Sequence, residues 1–182
     1  MNKMRKIKFA SFHFVLLITS SHLIQAQSLP IPEGRRLRDI VEDNYPDGKL
    51  LVGATIGSWG FDEPIGEIMD REFSYVTPEN DFKQSVVRNN PDTWNWSRAD
   101  AWLPHIIEKN QVLKIHGPIS PQCLKWAKED VRTAEELSYE LDTFMTDLCK
   151  RYNNVEGIKY LDVVNEVALS DGSWHHPKPG TD

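Results

Sequence analysis

Between residues 50 and 164, short apolar runs alternate with longer amphipathic stretches. Leu50-Leu51-Val52-Gly53-Ala54-Thr55-Ile56-Gly57 is apolar and glycine-bounded, the pattern of a strand buried on both faces. Phe73–Val76, Val112–Ile115 and Ile158–Val164 repeat that pattern, the last most clearly. Between them, Ser97 followed by Asp100 can cap a helix reaching about Asn110, with Trp102, Ile106 and Ile107 turned inward. Thr133 and Glu136 have the spacing of a capping box. Behind them Leu137, Leu141, Phe144, Leu148 and Tyr152 recur every three or four residues, an apolar stripe that reads as core packing. An earlier helix is expected from about Gly34 to Asn44, with Leu37, Ile40 and Val41 on one face, and Pro46-Asp47-Gly48 is a turn signal.

Strands that alternate with helices imply an α/β domain with a parallel sheet and crossovers of one hand. A doubly wound sheet and a (β/α)8 barrel both fit that order. No G-x-G-x-x-G follows the first strand, which weakens the case for a dinucleotide-binding fold. Four strands are predicted, and a closed barrel of this kind has eight.

The start of the chain follows a different rule. Lys3, Arg5, Lys6 and Lys8 precede a mostly apolar stretch from Phe9 to Ile24, and Ile24-Gln25-Ala26 offers a small residue for cleavage. Residues 1–26 therefore read as an export signal, with an uncleaved membrane anchor as the alternative. Residues 27–33 form a proline-bearing linker, and 34–182 the domain. The expected location is secreted or periplasmic. Removing the signal takes four positive charges and no acids from a formal charge of −6, leaving −10. So acidic a chain lacks the basic face that nucleic acid or an anionic membrane surface requires, and neutral polysaccharides stay open as partners. Cys123 and Cys149 have no close Cys or His companion, so the spacing is not that of a metal site. Export would permit a disulfide, but two buried thiols are the preferred reading.

Parallel-sheet enzymes work at the C-terminal ends of their strands. The fourth run leads into Asp162-Val163-Val164-Asn165-Glu166. A carboxyl at such a partly desolvated mouth is expected to have a raised pKa and to hold a proton for a glycosidic oxygen. Asn165 could bind a sugar hydroxyl beside it. Equally, the pair could simply begin a loop or cap a helix. After the second run, Glu79, Asn80 and Lys83 gather a carboxylate, an amide and an ammonium, suited to several hydroxyls of one sugar. The same stretch reads as a helix start, with Thr77 as cap and Pro78 at the first position. His116 closes the third run, where structural and functional roles are about balanced. Of Trp59, Trp94, Trp96, Trp126 and Trp174, one or two at most are expected to stack on sugars.

Three motifs in order, Thr77-Pro78-Glu79-Asn80-Asp81-Phe82-Lys83, Lys114-Ile115-His116 and Leu161-Asp162-Val163-Val164-Asn165-Glu166, make the chain resemble glycoside hydrolase family 10 over residues 34 to 176. That family comprises retaining endo-β-1,4-xylanases on a (β/α)8 TIM barrel. The resemblance implies that Glu166 is the general acid/base and that Asn165 binds the 2-hydroxyl beside the cleaved bond. It implies that Glu79, Asn80 and Lys83 hold the next sugar on the non-reducing side, and that His116 belongs to the sugar site. After that histidine the family usually carries a Trp–His pair. Here Gly117-Pro118-Ile119-Ser120-Pro121 stands instead, and a one-residue deletion brings Gln122 and Trp126 back into line as substrate-binding positions.

The resemblance also places the nucleophilic carboxylate after a seventh strand, which this chain does not reach. The expectation is thus an N-terminal half-barrel of a secreted endo-1,4-β-xylanase acting on xylan or xylo-oligosaccharides. No metal or organic cofactor is needed, and the isolated fragment should be inactive. A non-catalytic carbohydrate-binding half-barrel is the alternative.

Overall fold

A computed structural model describes residues 30–121, 126 and 132–174. Residues 1–26, read from sequence as an export signal, lie outside these residues, as do Gln122 and Cys123. Four strands form one parallel sheet: β1 (Gly53–Ile56), β2 (Tyr75–Pro78), β3 (Val112–Ile115) and β4 (Ile158–Leu161). Their spatial order is their chain order, β1-β2-β3-β4. A doubly wound sheet reverses direction at a switch point, so this singly wound order settles the question in favour of the barrel type. The described fold is half of such a barrel.

Among the described residues, six α-helices with described bounds accompany the strands: α1 (Leu37–Asn44), α2 (Pro64–Glu72), α3 (Gln84–Val87), α4 (Ser97–Asp100), α5 (Trp102–Glu108) and α6 (Ala134–Tyr152). The sequence pattern did not predict α2. Its start is marked by Pro64 in the first turn, where a missing N–H costs nothing. Ser97 is the first helical residue rather than the cap. Asn95 precedes it and accepts from the Ser97 backbone N–H (3.1 Å) and hydroxyl (2.7 Å). The capping box at Thr133 and Glu136 is formed in both directions.

The sheet's two faces differ. Ala54, Ile56, Val76, Leu113, Ile115, Ile158 and Leu161 point to one side and pack with Trp102, Ile106, Phe82, Leu148 and Tyr152. Thr55, Thr77, Lys114 and His116 face the other way, onto a cleft. The strands were expected to be buried on both faces. In β1 and β3 burial instead alternates, because the described residues cover only the helix side. β4 is half-open along its length, and Val163 and Val164 beyond it are about half exposed, at 51% and 50%.

Further inward assignments are corrected. Ile107 is 56% exposed: one residue on from buried Ile106, it is rotated about 100° around the helix. Leu137 and Leu141, in the first half of the α6 stripe, are also exposed, whereas Phe144, Leu148 and Tyr152 are buried. The α1 face reaches no buried position. Cys149, expected to be buried, is exposed and free on the outer side of α6.

One irregularity matters for the site. Leu113 pairs with Ile158, but Lys114 pairs with Tyr160 and Ile115 with Leu161, so Lys159 is an extra residue in β4. The Asp162 backbone N–H then donates to Ile115 O at 2.9 Å.

Candidate active site

The cleft at the C-terminal ends of the strands has a volume of about 520 Å³. Thr55, Thr77, Glu79, Asn80, Lys83, Lys114, His116 and Glu166 line it. Five of these were anticipated from sequence, and the structure gathers them from three separate strand ends. Thr55, Thr77 and Lys114 were not anticipated. Period-two alternation is the signal that could have found them: Thr77 precedes Glu79 by two residues, and Lys114 precedes His116 by two.

The loop after β2 is fastened from below. Asp81 is fully buried, and its carboxylate accepts from the Ser58 N–H (2.7 Å) and the Trp102 indole N–H (2.7 Å), while Arg98 approaches at 2.5 Å. Above it the Glu79 N–H donates to Ile56 O (3.0 Å), carrying the β1–β2 pairing one step past the strands. Thr77 and Pro78 belong to β2, and the helix starts only at Gln84. Glu79, Asn80 and Lys83 are therefore loop residues held at a strand mouth, not the first turn of a helix. Lys83 is buried and reaches the cleft beside Gly117. Gly117 has φ +58°, and a Cβ there would stand 3.2 Å from Lys83 Cε, so both backbone and space favour glycine.

His116 does not stand alone. Its Nδ1 lies 2.9 Å from Asp162 Oδ2, and Lys114 Nζ lies 3.0 Å from the same oxygen. Burial works to raise the Asp162 pKa. The hydrogen bonds from His116 and Lys114 outweigh it and hold the carboxyl below its ordinary range. An ionised Asp162 accepts from Nδ1–H, which leaves Nε2 as the ring nitrogen available to a ligand. Asp162 thus serves as the partner that sets the histidine's orientation.

Glu166 reaches the cleft by a different route. The β3–β4 pairing resumes after the strands as a parallel bridge between Ile119 and Val164, and the Asn165 N–H donates to Ile119 O at 2.9 Å. Glu166 follows in a left-handed conformation, φ +56°, uncommon for a residue with a Cβ and a form of local strain that clusters at working sites. Its side chain borders the same cleft as Glu79, Asn80, Lys83 and His116. It is nonetheless exposed, so the desolvated mouth expected from the sequence is not built by the described residues. Asn165 is half-buried, close to Gly117.

Trp126 is placed elsewhere. Its indole N–H donates to Arg88 O (3.3 Å), the Arg88 guanidinium sits 5.4 Å from its ring, and it borders a separate hollow with Leu137, Leu141 and Phe144. Trp94 and Trp96 stack on each other, with Trp94 also against Phe144. These rings are packing elements. Trp59 and Trp174 stay exposed.

The family model for glycosyl hydrolase family 10 matches residues 41–178. Endo-1,4-beta-xylanase A of Xylanibacter ruminicola is 30% identical over 135 residues, 69% of this chain and 36% of that protein. Endo-beta-1,4-xylanase Xyn10C of Cellvibrio japonicus is 25% identical over 142 residues, 75% of this chain and 23% of that protein. Among solved structures, xylanase 10B from Thermotoga petrophila in complex with xylobiose superposes with a TM-score of 0.67 at 22% identity, covering 80% of this chain and 44% of the other. The chain thus spans from about a quarter to under half the length of these proteins. With the family model covering three quarters of the sequence and the strand-end cleft in place, this chain belongs to glycosyl hydrolase family 10.

Proposed function

We propose that the chain is the half of an exported, retaining endo-1,4-β-xylanase that carries the acid/base. One observation supports this most: Glu166 borders the cleft that Glu79, Asn80, Lys83 and His116 also line. A neutral sugar needs both donors and acceptors around it, and this wall supplies an amide, an ammonium, an imidazole and a carboxylate. Glu166 then protonates the leaving oxygen and, in the second step, takes a proton from the attacking water. The retaining route also requires a nucleophilic carboxylate about 5–5.5 Å from the acid. By the family's pattern that group follows a seventh strand, beyond the four described here. The xylanase names of the matched relatives, and the xylobiose bound to one solved neighbour, point to xylan as the polysaccharide.

Two assays test the proposal. The purified chain mixed with xylan is expected to release no reducing sugar, and clear release overturns the half-site reading. In a protein completed by four further strand–helix units, Glu166→Gln is expected to cut turnover by about 10²–10⁴-fold with little change in xylo-oligosaccharide affinity. Unchanged turnover would instead make this half a carbohydrate-binding module.

A further inference from the structure

Single exposed apolar side chains are common on protein surfaces and need no partner. Trp59, 63% exposed, differs in where its ring lies. It belongs to a single 3-10 turn, Ser58–Gly60, directly after β1. Side chains alternate along that strand: Thr55 faces the cleft, Ile56 enters the core, and Gly57 returns to the cleft side. A Cβ at Gly57 would stand 2.4 Å from the Trp59 indole nitrogen and 2.5 Å from its Cδ1. The indole therefore lies back over Gly57, which is buried although it is on the open side of the sheet. With φ −89°, Gly57 supplies space here, not an unusual backbone.

Both neighbours of the ring are anchored. The Ser58 N–H donates to Asp81 at 2.7 Å, and that carboxylate also fastens the loop carrying Glu79 and Asn80. Phe61 packs edge-on against Trp102, with centroids 4.7 Å apart, and stacks on His105 at 4.0 Å. Ile56 pairs with Pro78 and accepts from the Glu79 N–H, so Gly57 comes alongside Glu79. The indole thus stands next to the sugar-holding wall at a fixed spacing.

Strand order supplies a direction. Glu166 follows β4, His116 ends β3, and Glu79 and Asn80 follow β2. A sugar chain laid from the acid across these groups continues toward the end of β1, where the Trp59 ring lies. We propose that Trp59 is a stacking platform for a sugar beyond the one held by Glu79 and Asn80, on the side away from the acid. This rests on the reading of the cleft as a xylanase half-site, and it adds a specificity-determining residue to that site. A pyranose offers a face of polarised C–H bonds to the indole and keeps its hydroxyls at the rim in water.

The test is a titration of the 15N-labelled chain with xylotetraose, followed on the indole N–H resonances and the Asn80 side-chain amide. The Trp59 signal is assigned by its absence from the spectrum of Trp59→Phe. It is expected to shift saturably, with the midpoint of the Asn80 amide. Trp59→Ala should weaken binding about three- to tenfold, with Trp59→Phe retaining most of it. Gly57→Ala keeps the indole but displaces it from its seat, and should weaken binding in the same direction. Glu79→Ala should weaken it as well. A stationary Trp59 signal with unchanged Trp59→Ala affinity, while Glu79→Ala still weakens binding, overturns the platform and leaves the xylan reading intact. No saturable change at any resonance overturns the xylan reading itself, and the platform with it.

Discussion

The two walls of the cleft are made differently. On the β2 and β3 side, Glu79, Asn80, Lys83 and His116 stand on a layer of fully buried side chains, among them Phe82, Val76, Leu113, Trp102 and Asp81. On the β4 side, Asn165 and Glu166 follow an open strand whose continuation, from Val163 to Trp174, is largely exposed. The first wall derives its geometry from close packing. The second derives it from backbone pairing with Ile119, from one strained residue and from the antiparallel bridge between Ala168 and Trp174 that follows. On the proposed xylanase reading, the groups that hold a sugar are the ones placed by a core, because they must not move. On the same reading, the group that passes a proton to the bond between two sugars must be reachable from both sides, which a core cannot allow.

The sharpest way to break this contrast is to remove packing from the first wall. Trp102→Ala deletes a fully buried indole and orphans one acceptor interaction of Asp81, and should cost about 4 kcal/mol in urea unfolding. A loss under 1 kcal/mol would mean that the core does not support this wall. A smaller effect is expected at the seam between the walls. Gly117→Ala forces a Cβ into a left-handed position and toward Lys83, and should cost about 1 kcal/mol while weakening xylotetraose binding.

Acid titration gives a smaller signal still. Asp162 has its pKa lowered in the folded state, so its contacts with His116 and Lys114 add stability that is fully present above the ordinary value of 3.8 and fades as pH falls through the lower folded value. Wild type minus Asp162→Asn should therefore be flat in stability from neutral pH down to about pH 5 and shrink below about pH 4. A difference that grows on acidification would reverse the assignment. The smallest effect belongs to the open wall: Val163→Thr should change unfolding free energy by less than about 0.5 kcal/mol. A larger loss there would show that the open wall is packed after all.

What could be read from the sequence follows the same division. β3 falls where its apolar run predicts, and the capping box of α6 forms as its two residues require. Strand-end logic found Glu79, Asn80, Lys83, His116 and Glu166, because a parallel sheet exports its polar residues at one end. It missed α2, whose apolar positions are too few to show a period. It also missed Asp81 and Asp162, since a carboxylate's partners come from distant segments: Ser58, Arg98 and Trp102 for one, Lys114 and His116 for the other. Periodicity carried Leu137, Leu141 and Ile107 inward, but a pattern marks a face without saying what will cover it. Trp126 was assigned by alignment to a family position, and its place beside Arg88 is fixed by contacts that alignment does not see.

Lys159, the unpaired residue in β4, has a consequence out of proportion to its size. Were the ladder uninterrupted, His116 would stand opposite Leu161, and an aliphatic chain would meet the imidazole where a carboxylate now does. The single added link advances everything downstream by one place, so that Asp162 comes alongside the ring and the Glu166 carboxylate of the following stretch borders the cleft. Pairing the same residues without that interruption, so that Lys159 took the place opposite Lys114, would keep the composition of the strand and rotate its chemistry out of the groove.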